Sequence, residues 1–102
     1  MTAATDLAAL RASLAADAPP PHLSRPLAAL WHCARDAWDV AHALVQQAEG
    51  DPDHDWVHAH LHRVEGDLAN AGYWYRRAGR PAASGTLEAE WTEIAAFLLA
   101  KP

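Results

Sequence analysis

Cysteine occurs once in this chain, at Cys33, so no internal disulfide can form and nothing points to an oxidising compartment. Lysine also occurs once, at Lys101, and the formal charge is −5. An acidic balance of this kind excludes general affinity for nucleic acid or for anionic membrane. The three arginines Arg76, Arg77 and Arg80 beside Tyr73, Trp74 and Tyr75 are too few to reverse it. No apolar run approaches the roughly 20 residues that cross a bilayer. The opening MTAATDLAAL has no basic segment followed by a long apolar one, so no signal peptide is expected. A glycine-rich phosphate loop, a serine elbow and a paired-carboxylate glycosidase pattern are all missing, which leaves enzyme activity without a motif. A soluble, cytoplasmic protein is the expectation.

Strand-type alternation is also missing, and what is present reads as helix. At 102 residues the chain is one domain, able to bury a modest core. Residues from about Thr5 to Ala16 form an Ala-rich segment with Leu7, Leu10 and Leu14 on one stripe, followed by the Pro19-Pro20-Pro21 linker that carries His22. Ser24 with Pro26 opens a helix to about Arg35, and Asp36 is placed to cap the next, from Ala37 to Glu49. Asp51-Pro52 opens another to Glu65, Gly66-Asp67 ends it and caps the one to Ala78, and Gly79-Arg80-Pro81 stops that. Ser84-Gly85-Thr86 starts a last helix with Leu87, Trp91, Ile94, Ala95 and Leu98 on one face.

A shift of 30 residues brings Leu27, Ala29, Trp31 and His32 onto Val57, Ala59, Leu61 and His62, and Leu87, Ala89 and Trp91 continue the register. Ala41, Leu44, Val45 and Ala48 fall likewise on Ala71, Trp74, Tyr75 and Ala78. Such a repeat predicts an all-α fold of about five helices, two stacked helical hairpins plus a capping helix. In this division residues 1–25 are an N-terminal helix and Pro-rich linker, and residues 26–102 are the hairpin repeat domain.

The stretch Glu65-Gly66-Asp67 through Arg76-Arg77-Ala78-Gly79 resembles the second half of a tetratricopeptide or Sel1-type repeat. Trp38, Asp39 and His42, then Trp56, His58, Ala59, Leu61, His62, Arg63, Glu65, Gly66 and Asp67, then Asn70, Ala71, Tyr73, Trp74 and Tyr75 carry a second likeness. Together they are similar to a group of small uncharacterised bacterial proteins with Trp-x-His-Ala-x-Leu-His-Arg-x-Glu-Gly-Asp followed by Asn-Ala-x-Tyr-Trp-Tyr. That resemblance implies a bacterial helical-repeat protein and supplies no catalytic assignment. A repeat near 30 residues departs from the tetratricopeptide length of about 34.

On a helical wheel Val57, Leu61, Val64 and Leu68 form the expected buried face of the Asp51–Glu65 helix, with His54, His58, His62 and Glu65 on its flank. His58 and His62 are i, i+4, and Glu65 follows His62 by three, so these residues can bring two imidazoles and a carboxylate to one ion. Zinc or another divalent transition metal suits that set, although Ala59 stands where a zincin has its catalytic Glu. Neighbouring helices offer the stripes Asp39–His42–Gln46 and Asn70–Tyr73–Arg77. Glu65, at the negative end of its helix, calls for a cation, and Arg77 or Arg76 is the expected salt-bridge partner. Trp31, Trp56, Trp74 and Trp91 are expected in the core, and Cys33 next to His32 is not expected to act as a nucleophile.

Two functional readings follow. The first is a helical-repeat binding protein whose concave site, lined by His42, His58, His62, Glu65, Asn70, Tyr73 and Arg77, takes a protein, peptide or small anionic ligand. The second is a divalent-metal-binding protein or metal-dependent enzyme built on His58, His62 and Glu65, with His42 as a further ligand.

Overall fold

The computed structural model describes residues 5–101. Within them the chain forms six α-helices and no strand: α1 Leu7–Ser13, α2 Arg25–Ala34, α3 Trp38–Gln46, α4 Pro52–Val64, α5 Leu68–Ala78 and α6 Leu87–Leu99. The all-α reading holds, and the helix number rises from about five to six. The reason is simple arithmetic on the breakers: interruptions at the proline linker, at Asp36, at Gly50, at Gly66 and at Gly79 delimit six segments.

Local chemistry explains most boundaries. Asp6, Ser24, Asp51, Asp67 and Thr86 each accept a hydrogen bond from the backbone N–H three residues on, and so satisfy a donor the helix cannot. Asp36 does not cap α3 as expected. It takes the left-handed conformation, φ +60°, and Ala37 stands at the cap position without a side-chain bond. Its conformation is the one Gly66 and Gly79 adopt at the ends of α4 and α5. In all three cases the next N–H reaches back five residues: Ala37 to His32 O at 2.9 Å, Asp67 to His62 O at 2.9 Å, Arg80 to Tyr75 O at 3.0 Å. Aspartate tolerates the left-handed region better than most side chains, which makes it a serviceable stand-in for glycine there.

Helix α4 is the centre of the molecule. It packs against α2, α3, α5 and α6, and every residue from Asp55 to His62 is buried. Val57, Ala59 and Leu61 are fully enclosed, and Leu61→Ala would cost about 2–5 kcal/mol. Val64 and Leu68 depart from the expected face and are 38 % and 68 % exposed, because α4 ends between them and Leu68 opens a new helix pointing elsewhere. Trp31, Trp56, Trp74 and Trp91 lie in the core as expected, and the Trp91 indole N–H donates to Leu30 O at 2.9 Å. The N-terminal segment is tied in through Leu10, fully buried, and through Ser13, whose Oγ accepts from the Trp31 indole at 3.0 Å. Among the described residues no helix is long and apolar enough to cross a membrane.

Candidate functional site

The i, i+4 spacing of His58 and His62 sets their rings side by side on α4, centroids 4.9 Å apart. α3 crosses the same face and delivers His42, whose Nε2 lies 3.0 Å from His58 Nε2. One ligand nitrogen from each of His42, His58 and His62 lies within 4.8 Å of the other two. Two indoles hold the rings. Trp38 stacks on His42 at 4.6 Å, fixed by its own N–H bond to Leu61 O at 2.7 Å, and Trp74 of α5 stacks on His58 at 3.8 Å. His58 and His62 are buried and His42 half-buried, so the cluster opens on the α3 side.

Glu65 does not reach Arg76 or Arg77, contrary to expectation. Its carboxylate accepts from His62 Nδ1 at 2.6 Å, one turn back on the same helix. That partner lies on the same helix and needs no displacement of α5. Arg77 instead donates to Tyr73 Oη at 2.9 Å, and its guanidinium sits 5.2 Å over the Trp74 ring. Glu65 thereby orients the His62 ring through Nδ1 and leaves Nε2 facing the other imidazoles.

The electrostatics favour the neutral form of His42 and His58. His58 is pushed down to about 3, first by burial and then by His42 and His62. His42 is lowered as well, by burial and then His62, against the opposing pull of Glu65, Glu49 and Asp39. His58 Nδ1 is fully enclosed and has no hydrogen-bond partner, which marks a site where a polar neighbour is missing.

Of the residues singled out from sequence, the fold brings His42, His58, His62 and Glu65 together. Asn70, Tyr73 and Arg77 make no hydrogen bond or ion pair to the histidines; they stand on α5, beyond Trp74. His54 leaves its stripe to pair with the cap residue Asp51, Nδ1 to Oδ2 at 2.7 Å, and Asp39 and Gln46 are exposed. Sequence reasoning missed Trp38 and Trp74 as walls of the cluster. It also missed a second buried group, in which Glu90 of α6 accepts from His60 Nδ1 at 2.7 Å, from Arg63 Nη1 at 3.3 Å and from the Tyr75 hydroxyl. The 30-residue register contained that signal: Leu30, His60 and Glu90 are equivalent positions, and a His and a Glu at one repeat position face each other when the repeats stack.

Compared with protein-family models, with curated proteins and with solved structures, the chain matches none. The site's chemistry therefore rests on its own geometry.

Proposed function

We propose that this protein binds one divalent transition metal ion of the zinc type through His42, His58 and His62. The observation that carries the reading is the convergence of three imidazoles from two helices with their ligand nitrogens within 4.8 Å. Two nitrogens each about 2.05 Å from a tetrahedral ion stand roughly 3.3 Å apart. The 3.0 Å between His42 Nε2 and His58 Nε2 needs only a few tenths of an ångström of opening. Imidazole binds metal as the neutral base, and the burial that lowers His42 and His58 supplies that form at pH 7 without a proton to expel. Glu65 on His62 supplies the outer carboxylate that commonly orients a metal-bound histidine.

Three protein ligands leave a fourth position on the half-buried His42 side, where a bound water would be acidified. An all-imidazole set disfavours calcium and magnesium, which take oxygen. Glu65 thus moves from metal ligand to positioning residue, and His42 takes its place. A helical repeat of hairpins α2–α3 and α4–α5 closed by α6, in a soluble cytoplasmic protein, is the setting we assign to it, supported by the matching turns at Asp36 and Gly66. A peptide- or anion-binding concavity that also recruits Asn70, Tyr73 and Arg77 has less support, because Arg77 and Tyr73 pair with each other and none of the three bonds to the histidines. The test is elemental analysis of protein purified without a polyhistidine tag. One equivalent of zinc, lost in His58→Ala/His62→Ala with the helical circular dichroism retained, is expected; sub-stoichiometric metal in the original chain, even after incubation with zinc, would refute the reading.

A further inference from the structure

A separate cavity lies between α1, α2, α4 and α6, on the side of α4 away from the three histidines. It holds about 280 Å³, just below the range usual for small-molecule sites. Its walls are Leu14, Cys33, Val64, Leu87 and Trp91, and the one buried polar side chain in it is His60. Arg11 and Glu88, paired at 2.7 Å, also border it; both are substantially exposed, so the pair shapes the mouth and adds little stability.

The fold uses only one of the two ring nitrogens of His60. Its side chain is only 2 % exposed, and Nδ1 is committed to Glu90, which does not line this cavity. The ring edge carrying Nε2 is therefore the one presented to the cavity, and Nε2 makes no hydrogen bond. Among the described residues the fully enclosed side-chain polar atoms without a partner are His54 Nε2 and His58 Nδ1, so His60 Nε2 remains open to a neighbour. Glu90 is kept ionised: burial raises it, and the bonds from His60, Tyr75 and Arg63 together more than reverse that. With Nδ1 committed to Glu90, Nε2 is the ring atom that His60 offers to the cavity. Cys33, which burial and Asp36 push up to about 11, stays a thiol and acts as an apolar wall.

We infer that this cavity is a binding site for a compact, uncharged small molecule, about one ring in size, carrying a single hydroxyl that hydrogen-bonds to His60 Nε2. The apolar walls provide affinity, and the one polar ring atom provides selectivity, since a molecule without a hydrogen-bonding group leaves that nitrogen unpaired. The inference does not depend on the metal reading, because none of His42, His58 or His62 lines the cavity.

Phenol and toluene differ by the hydroxyl at nearly equal shape, and they make the test. Each is titrated into isotopically labelled full-length protein and followed by NMR. Phenol should saturate at millimolar concentration, shifting Cys33, His60 and Trp91, with toluene about fivefold weaker or more. Val64→Phe and Leu87→Trp, both at partly exposed wall positions, should each abolish the phenol response with the spectrum otherwise folded. Equal affinity for toluene, shifts confined to another part of the molecule, undiminished binding in both variants, or no saturable response at all would overturn the inference.

Discussion

Two groups of histidines share one helix and are buried alike, yet they obey opposite rules. His58, His60 and His62 are 2 %, 1 % and 5 % exposed. His58 faces other imidazoles, with no carboxylate on its ring, and is held neutral well below its usual range. His60, two residues on, faces a carboxylate that also receives a guanidinium and a phenol hydroxyl. Burial alone therefore does not assign a histidine's role. The first group crowds imidazoles together with no carboxylate on His58, the arrangement that the proposed cation would complete; in the second, Nδ1 of His60 is paired with Glu90 within the protein.

The comparison breaks most sharply at Glu90. Glu90→Ala leaves the Tyr75 hydroxyl, the Arg63 guanidinium and His60 without their common acceptor, and removing one partner from such a buried group costs about 3–5 kcal/mol. Urea denaturation should show that loss, whereas His42→Ala, at a half-buried position, should leave apo stability far less affected. Equal losses would erase the distinction.

Acid should act on the other group. A histidine depressed in the fold gives stability that is full above the unfolded value near 6.5 and declines as pH falls toward the folded value, because the unfolded chain takes the proton first. For His58, depressed to about 3, the loss by pH ~4.5 is on the order of 2–3 kcal/mol. His58→Phe should flatten that part of the pH–stability curve, and an unchanged slope would mean that His58 is not held neutral.

Why the sequence revealed so much of the helix order and less of the site can be stated residue by residue. Helix ends are local chemistry, and Ser24-Arg25-Pro26, Asp51-Pro52 and Gly79-Arg80-Pro81 carry it within a few positions. Asp36 was misread because its type suits both a cap and a left-handed turn, and only the chain path decides. The His58–His62 pair was legible as an i, i+4 spacing, and Glu65 as a residue in need of a cation. That it would meet His62 on its own helix rather than an arginine of α5, and that His42 would cross from α3 to touch His58, depended on how the helices pack. A wheel for one helix contains no information about that packing. A wheel continued through Gly66 places Leu68 on a face it does not share, because the chain turns there and Leu68 begins α5.

Smaller effects sharpen the comparison further. Glu65→Gln keeps a hydrogen bond to His62 and removes the charge, so metal affinity should fall about 10–100-fold by competition titration, with apo melting nearly unchanged. Should affinity stay the same, Glu65 has no part in the site. Ala37→Ser supplies the missing cap of α3, the helix that carries His42, and should stabilise by about 0.5–1 kcal/mol in thermal melts.

The proposed metal site requires His42, His58 and His62 to act together across two helices. Calorimetric titration of zinc into the untagged chain at pH 7, repeated on each single His→Ala variant, addresses that directly. One ion per chain is predicted, with binding weakened strongly by all three substitutions and the melting temperature of the original chain raised by roughly 10 °C at about a hundredfold excess over Kd. Absence of binding, or binding that survives His42→Ala unchanged, would contradict the account.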